Sequence, residues 1–97
     1  MSATDPWPII IKADEEINLK AACHLTRKNE KTIRGWCKDY GIGGALPGAP
    51  LRISAPAVLM ALHGDVVALE LLRAGDRVHP RVRRWFDEAG VISPDAG

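Results

Sequence analysis

Apolar residues recur with helical spacing along most of this chain, in short stretches. Between residues 29 and 40, Ile33, Trp36, Cys37 and Tyr40 fall at i, i+3, i+4 and i+7. They make one apolar stripe, with Glu30, Lys31, Arg34 and Lys38 on the other side. Asn29 suits the N-cap of this helix, because its side-chain oxygen can accept an orphan N–H of the first turn. Gly41 suits the C-cap. Upstream, Asn18 is a good cap for a helix over residues 19–25 with Leu19, Ala22, Cys23 and Thr26 on one face. The connector at residues 26–28 is long enough only to turn. The pattern therefore predicts two short helices that cross closely at the small residues Ala21 and Ala22, a helix-turn-helix unit.

Beyond Gly41 the spacing changes. Gly43, Gly44, Pro47, Gly48 and Pro50 exclude a helix, and Leu51-Arg52-Ile53 alternates as a short strand closing a hairpin. Ser54 or Ala55 with Pro56 starts a new helix, since proline suits the first turn. That helix covers residues 57–63, with Val58, Leu59 and Leu62 as its apolar positions. Asp65 caps another over residues 66–74, with Val66, Leu69 and Leu72 inward, and Gly75 and Asp76 end it. A last helix opens at Pro80 and stops at Gly90. Trp85 and Phe86 are adjacent on it, so one is expected in the core and the other partly exposed.

At the start of the chain, Ile9, Ile10 and Ile11 predict a short strand, and Asp14, Glu15 and Glu16 a solvated acidic turn. Residues 1–8 read as a loose arm, with Trp7 packed on the domain edge or anchoring a partner. Val91 and Ile92 are expected to fold back on the body, ahead of a frayed tail. The expected fold is mainly α with a small β-hairpin, in one domain over residues 1–97. Within it, residues 1–17 form an arm and short strand, 18–54 the helix pair and hairpin, and 55–97 the C-terminal helices.

Composition narrows the function more than the fold. Ninety-seven residues make one domain with one small core, and the net charge of +1 favours no partner class. Its distribution does. Residues 27–38 carry five Lys or Arg and one acid, residues 73–84 five Arg and one acid, and residues 1–16 four acids and one Lys. A helix fastened by one face, with basic residues on the other, is what recognition of DNA requires. A solvated surface helix has the same pattern. The arginines Arg73, Arg77, Arg81, Arg83 and Arg84 leave three readings open: a second phosphate patch, pairing with acids of residues 14–16 in a neighbouring copy, or a solvated face.

Catalytic and metal chemistry find little support. His24, His63 and His79 are dispersed and match no zinc spacing with Cys23 or Cys37. No phosphate loop, nucleotide fingerprint or nucleophile motif is present. No cofactor, metal or catalytic residue is therefore assigned, and no enzyme activity is expected. The acidic N-terminus does not resemble a signal peptide, and no apolar run is long enough to cross a bilayer. These features place the protein in the cytoplasm, away from membranes, with both thiols reduced.

The run NLKAACHLTRKNEKTIRGWC, followed by a Gly-rich loop and then by LRIS-P-AVLMAL, resembles the winged helix-turn-helix domain of phage and mobile-element excisionases, relatives of the MerR-type regulators. The likeness covers roughly residues 17–63. It is carried by Leu19, Ala21, Ala22 and Leu25 on the first helix, and by Asn29, Thr32, Ile33, Arg34 and Trp36 on the second. The glycine wing and Arg52-Ile53-Ser54 complete it. The resemblance implies a winged helix-turn-helix with additional C-terminal helices. It implies double-stranded DNA as partner, self-association along DNA, and cooperation with an integrase that is steered toward excision. The same fold also serves transcription regulators. A protein-interaction module without DNA binding is the alternative from another class.

In such a fold the second helix enters the major groove. That assigns base reading to Lys31 and Arg34, since Arg pairs bidentately with guanine. Backbone contacts fall to Arg27, Lys28, Thr32, Lys38 and Arg52, which position without reading sequence. Two features depart from the family. The segment GGALPGAPL carries no charge, and Gly35 stands where relatives often have a basic residue.

Overall fold

The computed structural model describes residues 9–45 and 47–90. The expectations for the arm with Trp7, for Val91 and Ile92 and for the tail lie outside the described residues, as does Leu46.

Side-chain caps set the helix boundaries. Helix α1, Leu19–Thr26, starts where Asn18 accepts from the Ala21 N–H at 2.7 Å. Helix α2, Glu30–Tyr40, starts where Asn29 accepts from the Thr32 N–H at 2.8 Å, and ends at Gly41 in the left-handed conformation. Ser54 caps α3, Ala55–Leu62, with Pro56 in its first turn. Asp65 caps α4, Val66–Arg73. Helix α5, Pro80–Ala89, ends at Gly90, again left-handed. Each cap satisfies an N–H or C=O that the helix itself leaves unpaired.

Strands β1, Glu16–Ile17, β2, Gly43–Gly44, and β3, Arg52–Ser54, form a small antiparallel sheet with β3 in the middle. Ile53 faces both Ile17 and Gly43 across the ladders. Strand β2 can approach this closely because Gly43 has no side chain. A Cβ there would stand 2.5 Å from the Arg52 carbonyl oxygen and 3.1 Å from Cys37 Sγ.

The core centres on α3. Its residues from Ala55 to Ala61 are all buried, so this helix is apolar all round rather than amphipathic, as a fully enclosed helix must be. It packs against α1, α2, α4 and α5. Ala22, Ile33, Leu69, Leu72, Val82 and Phe86 meet it in one continuous cluster. The C-terminal helices are thus built into the core that holds α2 in place.

Four local expectations are corrected. Ile9–Ile11 is not a strand; Ile9 is buried, Ile10 is 72% exposed, and the first strand is β1. Trp85 and Phe86 are both buried, at 6% and 1% exposure. Successive helix residues point about 100° apart, and α5 is covered over an arc wide enough to take both. On α4, Ala68 rather than Val66 lies inward, and Val66 is 54% exposed. Finally, the acidic turn is not simply solvated. Residues Ala13–Glu15 form a single 3-10 turn, and Glu15 is 2% exposed.

Candidate functional site

The connection between α1 and α2 is residues 27–29, held from both sides. Thr26 donates its hydroxyl to the Ala22 carbonyl at 2.8 Å and accepts from the Lys28 N–H at 3.3 Å. Arg27 closes α1 with φ 60, and its N–H reaches the Cys23 carbonyl at 2.7 Å. It is the non-glycine residue with positive φ among those described. The left-handed conformation costs an L-residue about 1–2 kcal/mol, and a glycine would adopt it freely. Arg27 thus costs stability at a position where its side chain points into solvent.

Helix α2 is seated by Ile33, which is fully buried, and by the half-buried Trp36, Cys37 and Tyr40. The expected inner stripe is therefore the observed one, with Ile33 deepest. Burial pushes the Cys37 thiol up, and the Arg34 guanidinium pulls it part of the way back. Lys31, Arg34 and Lys38 are exposed at i, i+3 and i+7 on the outer side. Like charges at this spacing repel by a few tenths of a kcal/mol per pair, about 0.2–0.5. Among the described residues, none of Lys20, Arg27, Lys28, Lys31, Arg34 and Lys38 forms an ion pair. Thr32 gives its N–H to the Asn29 cap and keeps a half-exposed side chain.

Arg52 stands apart from this set. It lies on β3, donating Nε to Glu16 Oε1 at 2.8 Å across the β1–β3 ladder. Both side chains are substantially exposed, at 54% and 37%, so the pair is weak and exchangeable.

The C-terminal arginines are engaged inside the chain. Arg77 holds Glu15 through two bonds, Nε to Oε2 at 2.7 Å and a terminal nitrogen to Oε1 at 3.0 Å. It also donates to the Ile10 carbonyl at 2.7 Å. Arg73 bonds Glu70 and the Tyr40 carbonyl, placing a positive charge at the C-terminal end of α2, where the helix dipole favours it. Arg81 donates to Asp65 at 2.8 Å, and Trp85 Nε1 reaches the other oxygen of that carboxylate at 2.9 Å. His63 stacks on Trp85 with ring centroids 4.9 Å apart, and the Arg84 guanidinium lies 5.2 Å from the same ring. Arg83 also has an interaction partner.

Burial acts to raise the Asp65 carboxyl, but hydrogen bonds from Trp85, Ala68 and Arg81, with the Arg81 charge, outweigh it and hold the group below the usual carboxylate range. The Asp76 carboxyl is lowered by hydrogen bonds from the His79 and Val78 N–H groups. Glu15 and Glu16 are thus tied to arginines of their own chain, Glu15 to Arg77 and Glu16 to Arg52. Hydropathy patterning carries no signal for these pairs, whose partners lie 62 and 36 residues apart.

An open apolar groove of ≈ 810 Å³ runs beside α1, between Ile17, Ala21, Leu25, Ala55 and Ala89, with Lys20 and His24 on its wall. Among the described residues no cluster of three or more His, Cys, Asp or Glu is placed to hold a metal ion, and no helix is long and apolar enough to cross a membrane. Comparison with protein-family models, with curated proteins and with solved structures returns no match.

Proposed function

We propose that this chain is a winged helix-turn-helix DNA-binding protein of the excisionase type, acting beside recombination sites and turning an integrase toward excision. In this reading α1 and α2 are the helix-turn-helix, and the β2–β3 hairpin with its loop is the wing. Helix α2 enters the major groove, with Arg34 and Lys31 at the base edges. Arg27, Lys28 and Lys38, with the Thr32 hydroxyl, grip phosphates. Arg52 joins them only by exchanging Glu16 for a phosphate.

One observation carries the proposal. The basic side chains of α1, the turn and α2 have no carboxylate partners among the described residues, while Arg52, Arg73, Arg77 and Arg81 are paired. A protein of net charge +1 has acids available. On α2 the acids are the exposed Glu30 and Asp39, and against them Arg27, Lys28, Lys31, Arg34 and Lys38 leave a positive balance suited to a polyanion. The resemblance of residues 17–63 to excisionases names the role, and a transcription regulator of the same fold would use the same face. Self-association along DNA belongs to this reading, but it does not run through Glu15 and Arg77, which hold each other within one molecule.

The test is a gel shift with fragments from the protein's own genomic neighbourhood, across a salt series. Binding should fall steeply as salt rises, because each phosphate contact releases counterions. Absence of any shift at low salt rejects the proposal. Stimulation of excision by the neighbouring integrase selects the recombination role over transcription control. The protein-interaction reading has one observation in its favour, the apolar groove beside α1, and failure of every DNA fragment to shift would leave it as the better explanation.

A further inference from the structure

Six of the described glycines have visible reasons, and two, Gly35 and Gly44, do not. Gly41, Gly48, Gly64, Gly75 and Gly90 adopt positive φ, where a side chain is strained. Gly43 lies where a Cβ would collide with the Arg52 carbonyl at 2.5 Å. Gly35 is different. It sits inside α2 with ordinary helical geometry, and a Cβ built there meets nothing within 4 Å. Neither backbone conformation nor packing calls for glycine, and glycine weakens a helix interior relative to alanine.

Its surroundings are informative. Gly35 lies on the outer side of α2, one turn after Lys31 and nearly one turn before Lys38, next to Arg34. All three are exposed and without ion-pair partners among the described residues. The missing side chain leaves a notch with Lys31 a turn before it, Arg34 beside it, and Lys38 and the acid Asp39 about a turn after it. The same stretch holds Arg27, where a non-glycine residue takes a left-handed conformation. At both positions the helix pair forgoes stability on the face that carries the free positive charge. Such local sacrifices gather where a surface is shaped for a ligand rather than for its own fold.

We infer that Gly35 is a contact position, where the backbone of α2 itself comes against double-stranded DNA and no side chain fits between them. Lys31, Arg34 and Lys38 then reach past the notch to the groove edges and phosphates on either side. The inference rests on the DNA-binding proposal and adds to it a steric requirement that no charge argument supplies.

Two substitutions test it by the sign of their effect. Alanine and lysine both favour helix over glycine, so Gly35→Ala and Gly35→Lys should both raise the melting temperature. Both should weaken DNA binding, by about tenfold or more, as expected for overpacking a close contact. The lysine variant decides, because its extra charge would strengthen binding wherever the position simply faces phosphates across open space. Tighter binding by Gly35→Lys, with a steeper salt dependence, would overturn the inference and leave the DNA proposal standing. Lower melting temperatures for both variants would also overturn it, by showing that the fold needs the glycine. Loss of salt-dependent binding in the unmodified protein would remove the proposal beneath it.

Discussion

Residues 27–38 and residues 73–84 each carry five basic side chains and one acid, and their neighbours differ. In the second segment Arg77 is 11% exposed and clamps a Glu15 that is 2% exposed, while Arg73 and Arg81 bond Glu70 and Asp65. Arg84 lies over the Trp85 ring. In the first segment Arg27, Lys28, Lys31, Arg34 and Lys38 are all exposed, and none has an ion-pair partner among the described residues. Charge density therefore does not separate an unpaired basic face from a structural cluster; the positions of the acids do. Glu15, Asp65 and Glu70 lie against arginines of the second segment, while Glu30 and Asp39 on α2 form no ion pair among the described residues.

The largest expected effect falls on the buried pair. Arg77→Ala leaves Glu15 charged and enclosed, and Glu15→Ala strands Arg77, so either should cost about 3–5 kcal/mol in chemical denaturation. Affinity for DNA should be unchanged in whatever fraction remains folded. A loss below about 1 kcal/mol would show the pair to be weakly held, and would erase the structural side of the comparison.

Asp65 comes next, because it caps α4 and satisfies both Arg81 and the Trp85 indole. Asp65→Ala should cost about 2–3 kcal/mol, combining removal of a cap with an unpaired indole N–H. The carboxyl is lowered in the fold, so the unfolded chain takes up its proton first as pH falls. Its stabilisation is fully present above the usual carboxylate range and is lost as pH falls through and below that range. Asp65→Asn should flatten the acid limb of a stability-versus-pH profile, and an unchanged limb would contradict this assignment.

On the other segment the expected effects exchange places. Arg34→Ala should leave stability within about 0.5 kcal/mol, and should lose about 1–3 kcal/mol of discrimination between the specific site and scrambled DNA. Equal preference before and after the change would remove Arg34 as a reader. The smallest effect is at the turn. Arg27→Gly relieves a left-handed side chain and should stabilise the fold by about 1 kcal/mol. It should weaken all DNA sequences alike and lower the salt slope by about 0.9. A fall in melting temperature would show that the Arg27 side chain serves the fold.

Much of this arrangement is legible in the chain, because its signals are local. Asn18, Asn29, Ser54 and Asp65 cap the helices they precede, and Gly41 and Gly90 end them, since capping depends on residues within one turn. The stripe of Ile33, Trp36, Cys37 and Tyr40 likewise depends only on spacing. What is not legible is long-range. Strand β1 is two residues, one of them an acid, and exists because Ile53 and Ser54 lie beside it. The Ile9–Ile11 run has the composition of a strand and no partner in the sheet. Helix α3 is enclosed on every side, which the spacing of Val58, Leu59 and Leu62 does not convey. Within the candidate site, the basic residues are visible from composition. That they are unpaired, and that those of residues 73–84 are engaged, depends on contacts across the fold.

The difference between the two basic segments is tested most directly by the salt dependence of DNA affinity for two multiple variants. One removes Lys31, Arg34 and Lys38 by alanine substitution, and the other removes Arg81 and Arg84. If α2 is the DNA face, the first should flatten the slope of log affinity against log salt by about 0.9 for each phosphate no longer neutralised. The second should bind with the unmodified slope. A flattened slope for the Arg81 and Arg84 variant, with the α2 variant unchanged, would place the nucleic-acid face on the opposite segment.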